Sequence, residues 1–187
     1  ADESADPEMA RRILIDGKTS RPGVCNALET LLIHAGAQER LLPVLGRAMA
    51  EKGVEIRGCP RTCALLPEAV PARESDWGTE YLSLTLSVRV VDGLDEAIAH
   101  ILRYGSDHTE IIVTNDLENA SRFIREINSS VVMVNASSRF SDGGEFGLGA
   151  EIGISTSRLH AYGPMGVESL TTRKFVVLGQ GETRHPV

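Results

Sequence analysis

The sequence has 187 residues, of which 42% are hydrophobic and 24% charged, as in an ordinary globular domain with a sizeable core. A net charge of -7 argues against a nucleic-acid partner, because binding to a phosphate backbone needs clustered Lys and Arg. An aromatic content of 4% also argues against single-stranded nucleic acid, whose bases stack on aromatic side chains. No apolar run approaches the length of about 18 residues that predicts a membrane span, and the acidic start at residues 1–6 is unlike a targeting peptide.

The first half of the chain predicts alternating helices and strands. Asp6 suits an N-cap and Pro7 the first helical turn, and apolar residues follow at helical spacing. A second amphipathic pattern stops at Gly53. In chain order we predict a helix at 6–19, a strand at 27–34, a helix at 38–51, a short strand at 54–57 and, because three prolines interrupt any period, a loop at 59–74.

The second half has the best strand pattern of the chain, at residues 80–91, where apolar and polar side chains alternate. After it we predict a helix at 94–104, a strand at 110–114, a helix at 117–127, a strand at 131–135, a glycine-rich loop at 136–163 and a last short strand at 173–178. This order is typical of a mostly parallel, buried sheet flanked by helices, so the predicted fold class is α/β.

Three cysteines, Cys25, Cys59 and Cys63, form an odd count that favours a reduced, cytoplasmic setting over a disulfide framework. Cys59 and Cys63 lie close in sequence, but no second Cys/His pair stands at ligand spacing, so we expect no metal site. The chain also begins without Met, which suggests an excised fragment.

One cysteine stands in a proline-glycine turn at residues 21–26 that runs into an apolar stretch. Pro22 fixes φ, Gly23 permits a close backbone approach, and the apolar stretch anchors the turn in a core. Such a rigid and partly exposed position suits a nucleophilic thiolate at Cys25. The alternative is that Cys25 is buried and behaves as a small hydrophobe.

Four stretches resemble the γ-glutamyl phosphate reductase family of the aldehyde dehydrogenase superfamily: the Cys25 turn and residues 91–111, 134–153 and 160–166. The resemblance implies an aldehyde dehydrogenase-like catalytic domain and an NADPH-dependent enzyme of proline biosynthesis. Its reaction is the reduction of L-glutamyl 5-phosphate to L-glutamate 5-semialdehyde through a cysteine thioester. The resemblance implies that the protein binds this substrate and forms a homo-oligomer. Glutamate 5-kinase is a further partner that the resemblance allows.

The resemblance also implies how the chain is divided. We expect residues 1–20 to be a linker and helix left from a nucleotide-binding domain, 21–165 to be the cysteine-bearing catalytic domain, and 166–187 to be an oligomerisation strand and tail. The glycine spacing at 143–153 does not meet the dinucleotide-binding pattern, so this part alone is expected to be inactive. That glycine-rich loop is expected either to close over the substrate or to be a structural cluster of turns.

By resemblance, Cys25 is the nucleophile, and its own backbone N–H is a plausible donor to the oxyanion. We expect Lys18, Arg21 or the N–H groups of the turn to favour the thiolate. The alternative for Lys18 and Arg21 is that each is a solvated charge.

Substrate binding is assigned to Arg139, Asn26, Ser138, Glu145 and His160. Arg139 directly follows a predicted strand, where open sheets place ligand loops, and a guanidinium holds a carboxylate or phosphate with two hydrogen bonds. Its alternative is a surface arginine. By resemblance, Glu80 holds the nicotinamide ribose of NADPH. His108 and His160 are expected to bind phosphate or shuttle protons, with a core or capping role as the alternative.

Two other functions stay open from the sequence. One is another acyl-phosphate or aldehyde dehydrogenase of the superfamily with a different substrate, and the other is a non-catalytic module that retains the fold. A catalytic Cys25 should react with a mild alkylating agent before Cys59 and Cys63 do, whereas a non-catalytic module should show no such preference.

Overall fold

The computed structural model of the chain describes residues 1–185. Within this range the chain forms five α-helices: α1 (Pro7–Thr19), α2 (Gln38–Glu51), α3 (Pro60–Leu65), α4 (Leu94–Tyr104) and α5 (Leu117–Glu126). The same range forms eight strands: β1 (Thr30–His34), β2 (Glu55–Gly58), β3 (Val70–Pro71), β4 (Thr85–Val91), β5 (Thr109–Ile112), β6 (Val131–Val134), β7 (Gly153–Ser155) and β8 (Gly163–Met165).

The longer helices agree with their predictions because their end signals are local. The Asp6 side chain accepts a hydrogen bond from the Met9 N–H at 2.7 Å, so α1 begins at the predicted cap. Helices α2 and α4 have the predicted bounds, and α1 and α5 differ from theirs by one residue at one end. Their apolar stripes face the core, as the helical period requires.

A four-stranded parallel sheet in the order β1-β4-β2-β3 forms the centre of the fold. Its strand β4 buries Leu86, Val88 and Val90 almost completely. These side chains share one apolar cluster with Ile33 of β1 and with the buried face of α2. The predicted α/β class, with a mostly parallel sheet flanked by helices, is therefore confirmed.

A second parallel pair, β5 and β6, is connected to the central sheet by the first two residues of the chain. The Ala1 backbone nitrogen donates to the Leu32 carbonyl of β1 at 2.6 Å, and the Asp2 N–H donates to the Val113 carbonyl beyond β5 at 2.9 Å. Beside these bonds lies a cavity of about 420 Å³, which is lined by residues of both β1 and β5 and extends to Cys25. The cavity therefore lies between the two parallel sheets.

The prediction of a loop at 59–74 is wrong, since this segment contains α3, β3 and the start of a 3₁₀ helix at Glu74–Gly78. Pro60 occupies the first turn of α3, where a missing N–H breaks no hydrogen bond. Pro71 lies at the end of an edge strand, where a missing donor is also tolerated. The prolines therefore bound these elements and do not interrupt them.

Strand β4 begins at Thr85 and not at residue 80 as the alternating pattern predicts. Leu82 has a φ of 53°, in the left-handed region that is uncommon for leucine. Its N–H donates to Glu29 Oε1 at 3.3 Å. The Leu82 N–H is therefore bonded to a side chain and not to a neighbouring strand, and β4 begins only at Thr85.

The predicted loop at 136–163 contains a 3₁₀ helix at Ser138–Phe140 and the strand β7, which pairs antiparallel with β8. Three-residue strands are too short to show an alternating pattern, which explains why the sequence does not predict them. Within residues 1–185 no helix combines the length and apolar character needed to cross a bilayer.

The strand predicted at 173–178 is not formed within the described chain. These residues have no regular secondary structure, and Phe175, Val177 and Leu178 are at least 89% exposed. A strand needs a neighbouring edge to satisfy its hydrogen bonds, and none of the described edges pairs with this segment. The last two residues of the predicted tail at 166–187 lie outside the described residues.

A buried ion pair holds α1 against the segment that leads into β1. The Lys18 side chain is fully buried, and its Nζ lies 2.7 Å from Glu29 Oε2. The other oxygen of Glu29 accepts the bond from Leu82. One carboxylate therefore joins α1, the approach to β1 and the residues before β4.

We expect the Lys18→Met variant to lose about 3 kcal/mol of unfolding free energy, because it leaves a largely buried carboxylate without its counter-ion. Urea unfolding followed by circular dichroism measures this loss. The matched control is Arg11→Met on the same helix, whose ion pair with Glu8 is exposed to solvent and contributes little. Equal loss in the two variants would show that the buried pair has no special role in stability.

Candidate active site

The Cys25 thiol is presented by the turn between α1 and β1. The Ala27 N–H donates to the Val24 carbonyl at 3.0 Å, which closes the turn around the cysteine. Cys25 is exposed, whereas Asn26 and Ala27 are buried and anchor the turn. Cys25 lines the cavity between the sheets. The alternative of a buried, core-forming Cys25 is therefore wrong.

The other two cysteines have different surroundings. Cys59 is 8% exposed, with its Sγ 3.4 Å from Thr62 Oγ1, and Cys63 donates to the Gly58 carbonyl at 3.3 Å. Neither of them lines the cavity. In the part of the chain that the structure describes, no three His, Cys, Asp or Glu side chains gather closely enough to hold a metal ion.

The pKa of Cys25 is raised above that of a free thiol. Partial burial of the sulfur is the largest cause, and Glu151 and Glu80 add to it through their negative charge. The backbone N–H groups of Cys25 and Asn26 act in the opposite direction without reversing the shift. The thiol form therefore predominates at neutral pH.

The prediction that Lys18 favours the thiolate is wrong. Its ammonium group is buried against Glu29, and the pKa of Cys25 is raised and not lowered. Arg21 is exposed at the start of the turn, in agreement with the alternative of a solvated charge. Of the groups that the prediction named, the backbone N–H groups of the turn do lower the pKa of Cys25 and so stabilise its thiolate.

Arg139 reaches the cysteine turn through Asn26. It lies in the 3₁₀ helix that follows β6, and its half-buried guanidinium donates to Asn26 Oδ1. The Asn26 side chain in turn donates from Nδ2 to the Ser141 carbonyl at 2.9 Å. These two bonds fix the Asn26 amide and place the guanidinium beside the residue that follows Cys25.

The cavity brings together five residues given a role from the sequence: Cys25, Asn26, Glu80, His108 and Ser138. The Ser138 Oγ is buried and has no hydrogen-bond partner within the described chain, so it is available to a ligand. Arg139, Glu145 and His160 do not line the cavity, and Glu145 and His160 are exposed. The assignment of these three residues to substrate binding stays a prediction.

The glycine-rich segment folds into a cluster of turns, in agreement with the structural alternative. Gly147 and Gly149 have φ of 73° and 78°, in the left-handed region that favours glycine. The Gly143 N–H donates to Glu151 Oε2 at 2.9 Å and closes the segment at its base. The same bond holds the Glu151 carboxylate whose charge raises the pKa of Cys25.

Glu80 lies in the loop before β4 and not at the start of a strand as predicted. Its neighbour Tyr81 donates to Asp76 Oδ1 at 3.0 Å, and Arg57 donates to the same oxygen at 2.8 Å. This network anchors the loop and leaves the Glu80 carboxylate exposed at the cavity. Two acceptor oxygens in this place suit the paired hydroxyl groups of a ribose.

Three polar residues that organise the site have no role in the sequence predictions: Glu29, Ser141 and Glu151. Glu29 stands alone in an apolar stretch, and an isolated charge of this kind is a signal of a buried partner. Ser141 and Glu151 lie in a segment without any period, so no local signal separates them from their neighbours.

The fold of this site is known from other enzymes. The chain matches the crystal structure of an acetylating aldehyde dehydrogenase from Geobacillus thermoglucosidasius with a TM-score of 0.72, over 99% of this chain and 50% of that one. The two sequences are 17% identical, so this likeness shows the fold alone. The chain therefore has an aldehyde dehydrogenase-like fold.

Within that class the chain resembles γ-glutamyl phosphate reductase along its whole length. It is 62% identical over 186 residues to the γ-glutamyl phosphate reductase of Salinibacter ruber. The aligned residues cover 100% of this chain and 43% of that protein. The chain matches the crystal structure of the Thermotoga maritima γ-glutamyl phosphate reductase with a TM-score of 0.91 at 52% identity, over 98% of this chain and 44% of that one. No protein-family model matches the chain. The chain spans less than half the length of these two relatives.

We expect Glu151→Gln to lower the pKa of Cys25, because it removes a negative charge that opposes ionisation. At neutral pH the variant should be alkylated by iodoacetamide about three to ten times faster than the unchanged chain, since the thiolate is the reactive form. Peptide mapping across the neutral and alkaline range gives the rate and its midpoint.

The matched control for this variant is Glu145→Gln, which removes an exposed charge from the same loop. Its Cys25 should react at the unchanged rate, and Cys59 and Cys63 should react more slowly than Cys25 in every variant. A Glu151→Gln chain with an unaltered pH profile at Cys25 would contradict the role given to this carboxylate.

Proposed function

We propose that the chain is the cysteine-bearing catalytic part of a γ-glutamyl phosphate reductase, which converts L-glutamyl 5-phosphate to L-glutamate 5-semialdehyde in proline biosynthesis. The observation that carries the proposal is the exposed Cys25 thiol at a cavity beside the Asn26–Arg139 contact, in a chain 62% identical to such a reductase. Because the chain spans 43% of that relative, the activity is proposed for the complete protein.

The thiolate of Cys25 suits an acyl phosphate. Attack of Sγ on the carbonyl carbon forms a carbon–sulfur bond and an oxyanion, for which the Cys25 N–H is the proposed donor. The bond from carbon to the phosphate oxygen then breaks, phosphate leaves with the electron pair, and a thioester remains on Cys25. When bound, NADPH supplies the hydride that brings the acyl group to the aldehyde level.

Arg139 is the proposed ligand for the carboxylate or phosphate of the substrate. Its guanidinium has five N–H donors, and the contact with Asn26 leaves further donors of the planar group for an anion. The unpartnered Ser138 hydroxyl in the cavity adds a hydrogen-bonding group for the same ligand. Asn26 acts by positioning the guanidinium.

Glu80 is the proposed ligand for the nicotinamide ribose, because its exposed carboxylate lines the same cavity as Cys25. In the sequence no GxGxxG motif follows a strand, so this chain offers no such site for the dinucleotide phosphates. We therefore propose that tight NADPH binding and turnover need the remainder of the enzyme.

The proposed assembly is a homo-oligomer in the cytoplasm, with glutamate 5-kinase as a further proposed partner. The exposed apolar side chains of Phe175, Val177 and Leu178 support an oligomerisation role for residues 166–187, because such a run needs a covering surface. Helix α1 lies within the expected linker at 1–20, yet its Lys18 is buried in the core. Helix α1 therefore packs against the part of the chain that carries Cys25, while the division at residue 20 stays a prediction.

In the complete enzyme, we expect Cys25→Ser to reduce the oxidation of L-glutamate 5-semialdehyde by about a thousandfold or more, because the thioester is no longer formed. NADPH formation that depends on added phosphate measures the reaction. Cys59→Ser, at a buried cysteine outside the cavity, should retain most of the activity. A complete enzyme that prefers another aldehyde would overturn the substrate assignment.

We expect Arg139→Ala in the complete enzyme to raise the KM for the substrate about tenfold, since it removes charge-assisted hydrogen bonds to an anionic group. Steady-state kinetics with varied semialdehyde give this value. Arg47→Ala, an exposed arginine on α2, is the control and should leave KM unchanged. An unchanged KM in the Arg139 variant would remove this residue from the substrate site.

A further inference from the structure

His108 stands at the start of β5 and lines the same cavity as Cys25. Its ring is buried, with Nδ1 2.6 Å from Thr109 Oγ1 and Nε2 without a hydrogen-bond partner in the described chain. A buried nitrogen without a partner costs stability, so its position in a residue that lines the same cavity as Cys25 favours a ligand at this nitrogen.

The hydrogen bonds of Thr109 assign the ring proton of His108. The Thr109 hydroxyl donates its single hydrogen to Ser141 Oγ at 2.8 Å. Its oxygen is therefore the acceptor for the His108 Nδ1–H, and Nε2 is left with a lone pair. Burial lowers the pKa of His108, against the opposing charges of Glu151 and Glu80, so the ring is neutral at pH 7.

The same series of bonds connects His108 to the cysteine turn. Ser141 accepts from Asn26 through its carbonyl, and Asn26 accepts from Arg139. His108 and Arg139 are thus held at the two ends of one network, with the neighbour of Cys25 between them. One end offers a hydrogen-bond acceptor and the other offers donors for an anion.

The charges near this acceptor indicate what it binds. Glu80 lines the same cavity as His108 and Cys25, and the negative charges of Glu80 and Glu151 act on the pKa of both residues. An acceptor nitrogen in the field of carboxylates favours a ligand group that is positively charged and donates N–H bonds.

We propose that His108 Nε2 accepts a hydrogen bond from the α-ammonium group of the substrate, while Arg139 binds an anionic group of the same molecule. This inference rests on the proposed function, whose substrate carries both groups. It makes His108 a specificity-determining residue that selects an α-amino acid derivative over the same carbon skeleton without the amine.

The test compares two aldehydes as substrates of the complete enzyme, L-glutamate 5-semialdehyde and 5-oxopentanoate, which lacks the amine. The unchanged enzyme should prefer the amine-bearing aldehyde. In His108→Ala the kcat/KM for that aldehyde should fall about 10- to 100-fold, the effect of losing a hydrogen bond to a charged group, while the value for 5-oxopentanoate should change little. Cyclisation of the semialdehyde in solution affects both enzymes equally.

A second pair of variants covers the case in which His108→Ala does not fold. His108→Gln keeps an acceptor oxygen and should retain part of the preference for the amine. Thr109→Val removes the acceptor that holds Nδ1–H and should weaken the preference, since the ring can then adopt the other tautomer. The matched control is His100→Asn, a histidine of the same cavity whose two ring nitrogens also lack a partner in the described chain. His100 packs between Trp77 and Tyr104 and has no hydrogen bond to the network of Thr109, so its variant should not alter the preference if that network is what positions the amine acceptor.

The outcomes separate the two proposals. An equal fall for both aldehydes in His108→Ala would mean a structural role and would overturn this inference, with the proposed function intact. An unchanged enzyme that uses both aldehydes equally well would also overturn it. An unchanged enzyme that oxidises neither aldehyde would overturn the proposed function and the inference together.

Discussion

The position of the Cys25 sulfur depends on one buried ion pair, Lys18–Glu29. A charge taken out of water needs its counter-ion in place, so the end of α1 and the approach to β1 are held together. The contact is close enough that a Cβ on Gly17 of α1 would lie 2.6 Å from Leu28 Cδ1, and the Gly17 carbonyl accepts the Leu28 N–H at 2.9 Å. The Cys25 turn spans the chain between these anchored points, which explains how an exposed thiol keeps a defined place.

Burial keeps three titratable groups of the cavity in their neutral forms. Cys25 has a raised pKa, His108 a lowered one, and burial, with a smaller effect of Asp107, raises the pKa of Glu110 to about 8. A positive charge beside these carboxylates would offset their effect on the pKa of Cys25. In the proposed complex, an ammonium group bound at His108 would therefore favour the thiolate of Cys25.

Local signals account for the elements that the sequence predicts correctly. The bounds of α2 and α4 follow from periodicity and from residues at the helix ends, which need no distant partner. The segments at 59–74 and 80–84 differ from their predictions because their backbone depends on contacts with distant residues. Three prolines bound short elements there, and Leu82 bonds to a glutamate 53 residues away in sequence, so distant contacts decide the local backbone.

Local patterns in the sequence predict the α/β class, the longer helices and the turn that displays Cys25, because period, caps and a proline-glycine turn act within a few residues. The sequence also singled out Arg139 and Asn26, but not the contact between them. Long-range contacts in the folded chain bury Lys18 against Glu29, leave Glu145 and His160 outside the cavity, and leave His108 Nε2 without a hydrogen-bond partner in the described chain. The physical reason is that charge pairing and desolvation depend on distances between residues far apart in the chain, which no local pattern encodes.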